Sequence, residues 1–424
     1  MARFLSVMLL CFIAAGLSTA QEPAAGSFVT ISGTVRDSAS KKALENVSIS
    51  LLDSHIATVS NADGTFSLKF PAEYSGGKIK AEQLGYSSCS LSVPEILERG
   101  GTVAVMMTAS SKVLKELVVH GGRPEEIVAE ALRKIPSNYS PERNLFTAFY
   151  RETVQKGKRY IGVSEAIVDV YKTPYRRRVN SGERVSIKKG RRLLSLDSRD
   201  TLAVKIEGGP TLPVVIDFVK NSDFLFGPDA LRNYAFSMEK PVSIDDRMHY
   251  AIRFVPKVKL DYALCRGVLY IDRETLSFSK AEIELDVSDK VKATDAILRK
   301  KPRGLHFRPQ EMAFTVTYRL SDGVSHLNYI RTRTRFKCDW KRRLFSSGYT
   351  TCAEMVMVDR SAAPQGGISR KSAFGNDDIF YDEVADYWDP DFWKEYNIIE
   401  PTESLDKAVN RLRKSNAAVM SMYP

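Results

Sequence analysis

The side chains of this sequence that could do chemistry are five histidines, two Asp-Asp pairs and several clusters of basic residues. Zinc hydrolysis needs two histidines and a carboxylate at a fixed, short spacing. No two of the histidines are close in sequence, and none is followed by a glutamate at that spacing: they are His55, His120, His249, His306 and His326. The chain also lacks a Gly-x-Ser-x-Gly nucleophile motif and a glycine-rich phosphate loop. We therefore predict no catalytic residue, no metal site and no cofactor.

Two acid pairs, Asp245-Asp246 and Asp377-Asp378, are candidates for glycoside hydrolysis, which uses two carboxyl groups that flank one bond. Neighbouring residues on a strand point to opposite faces, so adjacent acids do not converge on one bond. We therefore expect both pairs to be solvated turns.

Basic residues form clusters that we expect at the ends of strands. A candidate patch for anionic ligands contains Arg176, Arg177, Arg178, Lys188, Lys189, Arg191, Arg192, Arg299, Lys300, Lys301 and Arg303, and Lys341-Arg342-Arg343 is a further cluster. Clusters on one rim of a sheet would attract phosphates, whereas separate clusters would only solvate loops. The formal net charge of +11 fits an anionic membrane surface, an acidic glycan or solubility alone.

Two further candidate sites lie late in the chain. Trp388 and Trp393 stand among acidic residues and could form an aromatic platform for carbohydrate, although buried anchors are the commoner use of such side chains. Cys338 and Cys352 flank a predicted hairpin and could face each other in a disulfide, which an oxidising compartment permits. Spacing alone does not decide that pairing.

The first 20 residues have the pattern of a signal peptide. Arg3 precedes an apolar run over residues 5–17, and Ser18-Thr19-Ala20 supplies the small residues of a cleavage site. The run is shorter than the roughly 20 residues that span a bilayer. No later stretch is apolar enough to do so, and we expect no transmembrane span in the mature chain. We therefore expect an exported protein, in the periplasm or on the periplasmic face of the outer membrane, without nucleic acid as a partner.

Residues 24–109 have the alternation of short strands. Apolar and polar residues alternate over residues 29–35, 46–51 and 65–70. Asn61-Ala62-Asp63-Gly64 supplies the positive φ that a hairpin turn needs. Seven such strands predict a small β-sandwich.

Four motifs in this region resemble the carboxypeptidase-like regulatory domain: residues 31–37 (ISGTVRD), 43–47 (ALENV), 61–66 (NADGTF) and 84–86 (LGY). The resemblance implies a transthyretin-like sandwich of the kind common in envelope proteins of Bacteroidota, and an accessory module instead of a peptidase. Residues 114–122 are similar to the segment that follows this module in TonB-dependent outer-membrane receptors. That similarity implies a linker or an edge strand over residues 110–122.

Residues 123–360 predict a second, larger β-rich unit. Residues 124–135 have one apolar helix face, and alternation with a period of two returns from about residue 145. We expect a large twisted antiparallel sheet or half-barrel with a few short helices, one of which, over residues 214–220, covers an open side. The return hairpin at Tyr270-Ile271-Asp272 resembles the half-barrel of periplasmic lipoprotein carriers, and FYRE at residues 149–152 is similar to uncharacterised Bacteroidota proteins. Residues 361–424 are expected to wrap the sheet and to contain a short helix.

The fold class predicted is therefore mainly β, with a seven-stranded sandwich followed by the large sheet. These features favour a non-catalytic, exported binding or scaffold protein of the cell envelope, which holds an apolar ligand such as an acyl chain or a lipoprotein in the half-barrel. Two alternatives stay open. One is a hydrolase of envelope peptide or glycan whose site is assembled only in the fold, and the other is a partner module of a TonB-dependent outer-membrane receptor.

Overall fold

The computed structural model describes residues 27–110, 122–176, 182–197, 200, 208–227, 230–298, 303–340, 346–389 and 396–420. Strand makes up 48% and helix 19%, so the mainly β class expected from the sequence is confirmed. Within these ranges, no helix is both long and apolar enough to cross a membrane.

The elements follow one another along the chain as short strands, then helices, then long strands. The strands are β1 (Phe28–Asp37), β2 (Ser48–Leu51), β3 (Ala57–Val59), β4 (Thr65–Pro71), β5 (Lys78–Glu82), β6 (Cys89–Ser92), β7 (Thr102–Met107), β8 (Asn144–Lys156), β9 (Arg159–Lys172), β10 (Arg184–Leu194), β11 (Tyr234–Met238), β12 (Val242–Ile244), β13 (Arg247–Pro256), β14 (Cys265–Asp272), β15 (Phe278–Leu285), β16 (Leu305–Ser321), β17 (Val324–Trp340) and β18 (Ser347–Ala362). The helices are α1 (Val93–Glu98), α2 (Pro124–Arg133), α3 (Ile135–Asn138), α4 (Thr211–Ile216), α5 (Asp223–Phe226), α6 (Lys290–Ile297), α7 (Phe380–Glu383) and α8 (Glu403–Met420).

The first seven strands form a sandwich of two sheets, with the strand orders β4-β1-β7 and β3-β2-β5-β6. Ile31, Ile49 and Leu68 are fully buried between the sheets, because alternate residues of each strand point inward. The sandwich predicted from the alternation is therefore present.

The turn at Asn61 corrects one expectation. It forms as a tight turn: Asn61 Oδ1 accepts a hydrogen bond from the backbone N–H of Asp63 at 2.9 Å, and Gly64 has a φ of +76°. However, it joins β3 to β4, which belong to different sheets, and is therefore an arch between the sheets instead of a hairpin. Local turn chemistry specifies the bend but not the sheet that the next strand joins.

The long strands form an open sheet of eleven strands in the order β10-β9-β8-β18-β17-β16-β15-β14-β13-β11, with β12 paired to β13. The predicted large antiparallel sheet is confirmed, and it does not close into a barrel. Since neighbouring side chains alternate, the sheet has two different faces. We call the face with Tyr150, Ala166 and Met355 the helix face, and the face with Phe149 and Val356 the sandwich face.

Short helices cover the helix face with apolar side chains. Each of five helices contributes at least one buried residue to a single core with the sheet, for example Val128 from α2, Ile135 from α3, Val214 from α4, Leu225 from α5 and Ala293 from α6. The helix predicted over residues 214–220 is present as α4, but it begins and ends earlier in the chain. The helix face is thus filled with protein side chains.

The sandwich packs against the opposite face, with residues 396–401 between the two units. Asn397 Oδ1 accepts from the backbone N–H of Lys69 at 2.7 Å, and its Nδ2 donates to the Lys69 carbonyl at 2.8 Å. Val59 of the sandwich, Ile399 and Phe149 of the sheet belong to one apolar cluster. The sandwich and the large sheet are therefore joined by a common core.

The Asp245-Asp246 pair lies at this junction. It forms the turn between β12 and β13, where both residues have positive φ values of 51° and 55°. Asp245 pairs with the Lys80 ammonium, and Asp246 accepts a hydrogen bond from Ser88 Oγ. The pair is a turn, as expected, but its carboxylates contact the sandwich instead of converging on one bond.

The segment after β18, residues 363–389, runs along β10, which is the first strand of the sheet. We call it the strap. The Phe374 N–H donates to the Val185 carbonyl at 2.7 Å, and Trp388 forms a parallel backbone bridge with Gly190. A covering segment of this kind forms hydrogen bonds with backbone N–H and C=O groups that would otherwise be exposed at the edge of the sheet.

Candidate ligand site

Four charged side chains are enclosed together on the helix face. Lys172 ends β9 and Glu183 immediately precedes β10, so the pairing of these two strands brings both residues to one corner of the sheet. Asp217 and Lys220 follow α4, which packs on the same face. None of the four side chains is more than 1% exposed. Buried charges in proteins are normally paired, so the contacts of each one decide its role.

Asp217 is saturated with hydrogen bonds. Its carboxylate accepts from Lys172 Nζ at 2.7 Å, Tyr175 OH at 2.9 Å and Tyr318 OH at 2.6 Å. Burial acts to raise the pKa of Asp217, but the charge of Lys172 and these hydrogen bonds outweigh it and hold the pKa below its usual value. Asp217 is therefore an ionised, fully satisfied anchor with no lone pair directed at a ligand.

Lys220 is held by backbone oxygens. Its Nζ donates to the carbonyls of Thr173 at 3.2 Å and Pro174 at 2.6 Å. Burial lowers the pKa of the Lys220 ammonium to about 8, partly offset by the charge of Glu183. At neutral pH Lys220 remains a cation that is fixed in place.

Glu183 is the group of the cluster that lacks hydrogen bonds. Neither of its carboxylate oxygens has a hydrogen-bond partner among the described residues. The nearest cations are Lys172 Nζ and Lys220 Nζ, at 3.6 Å and 3.7 Å from its oxygens. Burial raises the pKa of Glu183, and the two lysines offset part of that rise. The carboxylate oxygens are themselves buried, so the two lysines balance the charge of Glu183.

A cleft of about 360 Å³ opens beside Glu183. This volume lies within the roughly 300–1,000 Å³ range of small-molecule sites. Three elements supply its walls, namely the start of β10 with the residue before it, α4 and the strap; among the lining residues are Glu183, Arg184, Val214, Val215, Arg370 and Phe374. Arg184 is tied to the strap because its guanidinium donates to the Ile368 carbonyl at 2.5 Å. The cleft thus combines two guanidinium groups with an apolar wall, and the Glu183 carboxylate is buried beside it.

The predicted basic patch is distributed differently. Lys188, Lys189, Arg191 and Arg192 lie within β10, so the expectation that they stand at a strand end is wrong. Three of them pair with acids: Lys188 with Asp169 at 3.4 Å, Lys189 with Asp389 at 2.9 Å and Arg191 with Glu165 at 2.6 Å. Arg192 donates to the Tyr381 carbonyl at 2.9 Å. These cations fix the strap and the sheet to each other.

The other described members of that patch are separated. Arg176 follows the end of β9, whereas Arg303 precedes β16. The strand registers place the end of β9 and the start of β16 at opposite ends of the sheet, so the structure does not bring these two residues together. Arg177, Arg178, Arg299, Lys300 and Lys301 lie outside the described residues, as do Lys341, Arg342 and Arg343.

The aromatic platform is only half described. Trp388 has an exposed fraction of 59% on the strap, and its backbone is bridged to Gly190. Trp393 lies outside the described residues. Asp378, from the second acid pair, accepts a hydrogen bond from the Gly375 N–H at 2.7 Å and caps a turn of the strap.

The candidate disulfide between Cys338 and Cys352 is not formed. Both cysteines are free, and the register of β17 with β18 places Cys338 opposite Ser347 and Cys352 opposite Arg333. Ser347 and Cys352 are five residues apart on one strand, which is about 17 Å at 3.3 Å per residue. A disulfide needs Cα atoms within about 7 Å. The hairpin forms as predicted, but its register keeps the two thiols apart.

The residues of the charge cluster were not singled out in the sequence. Lys172 and Asp217 are 45 positions apart, and no motif connects them. A signal was nevertheless available: Asp217 and Lys220 interrupt the apolar stretch VVIDFVK at residues 214–220. Charges inside an apolar stretch that covers a sheet predict burial, and buried charges require partners.

Comparison with known proteins identifies the first unit. The family model of the CarboxypepD_reg-like domain matches residues 31–119. The chain therefore carries a carboxypeptidase-regulatory-like domain at these residues, as its four motifs indicated. No curated protein matches the chain.

The chain has distant matches among solved structures. One is a putative outer-membrane lipoprotein-sorting protein domain from Vibrio parahaemolyticus, with 12% identity, a TM-score of 0.25, and coverage of 58% of this chain and 94% of the other. Another is a LolA superfamily protein from Nitrosomonas europaea, with 12% identity, a TM-score of 0.23, and coverage of 58% and 97%. At these scores the similarity assigns no ligand to this chain.

Proposed function

We propose that this chain is a non-catalytic, exported binding protein of the cell envelope and that its ligand binds in the cleft beside Glu183. The observation that carries the proposal is a cleft of about 360 Å³ whose lining combines two guanidinium groups, of Arg184 and Arg370, with apolar side chains. Ligand sites place a few polar groups in a mostly apolar concavity. The buried charge network beside the cleft fixes its wall before any ligand arrives, which reduces the entropy lost on binding.

The contacts of the two buried acids favour binding over hydrolysis. Hydrolysis of a glycosidic bond uses two carboxyl groups that both reach the scissile bond. Glu183 lines the cleft, but Asp217 does not. The carboxylate of Asp217 accepts its hydrogen bonds from Lys172 and from the two tyrosines. The hydrolase alternative predicts release of products from purified envelope glycan or peptide, and our proposal expects none above the level of heat-inactivated protein.

The packing of the helix face favours a small polar ligand over an acyl chain. Side chains of α2, α3, α4, α5 and α6 already occupy the apolar surface that an acyl chain would need. A lipid would therefore bind only if these helices left the sheet. Extraction of the purified protein with organic solvent, followed by mass spectrometry, separates the two ligand classes.

The sandwich serves as a docked accessory unit in this proposal. It shares an apolar cluster with the sheet through Val59 and Ile399, on the face opposite the cleft. A ligand in the cleft and a partner on the sandwich would therefore not compete for one surface. The segment proposed to contact an outer-membrane receptor, residues 110–122, lies almost wholly outside the described residues. Pull-down from an envelope extract, with and without this segment, tests that partner.

The central experiment compares the small molecules that co-purify with three forms of the mature chain. Wild type, Arg370→Ala and the control Glu284→Gln are purified natively from the envelope fraction and examined by mass spectrometry. Glu284 lies on β15 with its side chain 55% exposed, and it is not part of the cleft lining. We expect a compound that accompanies wild type and the control but is lost from Arg370→Ala, because Arg370 lines the cleft and is exposed. Equal recovery from all three forms, or no compound from any, contradicts the proposal, and a cytosolic chain with an intact amino terminus contradicts export.

A further inference from the structure

We infer that one end of the large sheet docks on an anionic lipid surface. The docking residues are 257–264, the loop between β13 and β14, and 286–292, which lead from β15 into the first turn of α6. We call them the lysine-valine surface. None of these residues lines the cleft, so the inference goes beyond the proposed function and does not depend on it.

Strand pairing and two hydrogen bonds bring the two segments of this surface together. The first residue of β14 lies opposite the last residue of β15, so the loop before β14 and the segment after β15 leave the sheet at the same end. The Asp286 N–H donates to the Leu264 carbonyl at 2.8 Å. Lys292 Nζ donates to the Leu260 carbonyl at 2.5 Å. The two segments therefore form one continuous surface.

Three large apolar side chains are exposed on the lysine-valine surface. Val258, Tyr262 and Val291 have exposed fractions of 36%, 57% and 71%. A single exposed apolar side chain is ordinary on a soluble protein, whereas three on two joined segments indicate an interaction surface. Tyrosine suits the interface between water and lipid, because its ring is apolar and its hydroxyl is polar.

Lysines flank both exposed valines. The sequence Lys-Val-Lys occurs twice in this surface, at residues 257–259 and 290–292. Three of the four lysines are exposed, and the fourth, Lys292, is partly exposed. A lysine beside an apolar contact lays its hydrocarbon stem along that contact and keeps its ammonium group in water. This arrangement matches the layer of a bilayer in which phosphate groups adjoin acyl chains.

The acids of the surface are three aspartates, and two of them face backbone donors. Asp289 caps α6, where its side chain accepts from two backbone N–H groups of the first turn at 3.0 and 3.2 Å. Asp286 accepts from a backbone N–H two residues later at 3.0 Å. The third, Asp261, is exposed in the loop beside Lys257 and Lys259. The surface is therefore weakly cationic, and its attraction to lipid comes from the lysines and the apolar side chains together.

The alternation of charge and hydrocarbon favours lipid over a protein partner. The centre of a protein interface is depleted of charged residues. Here each exposed valine stands between two lysines. A lipid surface accepts this order, because apolar tips enter the boundary of the acyl chains while ammonium groups stay among the phosphates. The formal net charge of +11 of the whole chain adds a long-range attraction to an anionic surface.

The test is sedimentation of the mature chain with lipid vesicles at low and high salt. One set of vesicles contains phosphatidylcholine alone, and the other contains equal parts of phosphatidylcholine and phosphatidylglycerol. We expect binding to the anionic vesicles to be at least about tenfold tighter than to the neutral ones, and salt to weaken it. Equal binding to both sets, or none to the anionic vesicles, contradicts the inference.

Two double variants locate the contact and separate its two components. Lys257→Gln with Lys259→Gln should weaken binding to anionic vesicles by about tenfold. Val258→Ser with Val291→Ser keeps the charge and should weaken binding by a similar factor of about ten, because it removes the inserted hydrocarbon. A valine variant that binds as wild type does would rule out insertion and overturn the inference.

The matched control is Lys41→Gln with Lys42→Gln. It removes the same two charges from an exposed turn of the sandwich and should leave the affinity within about twofold of wild type. An equal loss in this control would assign the attraction to the overall charge and refute the lysine-valine surface. Arg370→Ala, which tests the cleft, should bind vesicles as wild type does, so the two proposals can fail separately.

Discussion

Replacement of Glu152 by glutamine should remove a large part of the pH dependence of stability. Glu152 lies on the helix face of β8, is buried, and accepts a hydrogen bond from Tyr150 OH at 2.5 Å. Burial raises the pKa of Glu152 to about 7 from the ordinary 4.5, although the bond from Tyr150 opposes the rise. A difference of about 2.5 pKa units corresponds to about 3 kcal/mol.

The sign of the effect follows from which state binds the proton more tightly. Below about pH 4.5 both the folded and the unfolded carboxyl are protonated, and the stabilising contribution of the protonated group is fully present. Between pH 4.5 and 7 the unfolded chain ionises first, so this contribution is lost as the pH rises through the folded pKa. Above about pH 8 the loss is complete and constant. Glu152→Gln has no such titrating group. Between pH 4.5 and 8, the free energy of unfolding of wild type should therefore fall by about 3 kcal/mol relative to that of the variant.

Urea unfolding at pH 4.5, 6, 7 and 8, with the same m-value fitted to both proteins, measures this difference. Other groups with shifted pKa values are common to wild type and the variant and cancel in the comparison. Glu284→Gln, which removes an exposed carboxyl from the same sheet, should give a profile parallel to that of wild type. Parallel profiles for Glu152→Gln as well would refute the reasoning, because they would mean that the buried carboxyl titrates as it does in the unfolded chain.

Three further substitutions test the contacts that hold the strap, the charge cluster and the sandwich. A Cβ atom at Gly190 would lie 2.4 Å from Val384 Cγ2 of the strap. Gly190→Ala should therefore lower the free energy of unfolding by about 1–3 kcal/mol. The second substitution Val384→Ala should restore part of the loss. Lys172→Met leaves Asp217 buried without its cation and should cost about 3–5 kcal/mol in urea unfolding; a loss below 1 kcal/mol would mean that the tyrosine hydroxyls suffice. Asn397→Ala removes two hydrogen bonds to the backbone of Lys69 and should cost about 1–3 kcal/mol, and an unchanged unfolding midpoint would show that apolar contacts alone hold the sandwich.

The strands and helices of this protein could be predicted from the sequence, because they depend on patterns among residues that are close in the chain. Alternation over residues 65–70 predicts β4, since period-two patterning produces one buried and one exposed strand face. The apolar face after Pro124 predicts α2 for a similar reason. The four motifs of the sandwich carry their own turn chemistry, and the family match at residues 31–119 agrees with them.

Which strands pair, and in which register, was harder to predict from the sequence. Asn61 and Gly64 make the expected turn, yet β4 joins the opposite sheet, because strand partners are chosen by packing across the sandwich. Cys338 and Cys352 flank the expected hairpin, yet a register in which Cys338 faces Ser347 separates them. Short-range patterns do not specify register when both faces of a strand are covered.

The sequence by itself determined that this chain is mainly β, that its first unit is a regulatory-type sandwich and that its apolar patterns require a larger sheet. Only the tertiary structure decided that Lys172, Glu183, Asp217 and Lys220 meet at one corner of that sheet and that a cleft opens beside Glu183. The physical reason is that strand alternation acts between neighbours in the chain, whereas ion pairing and desolvation depend on groups that come together only when distant strands and helices pack.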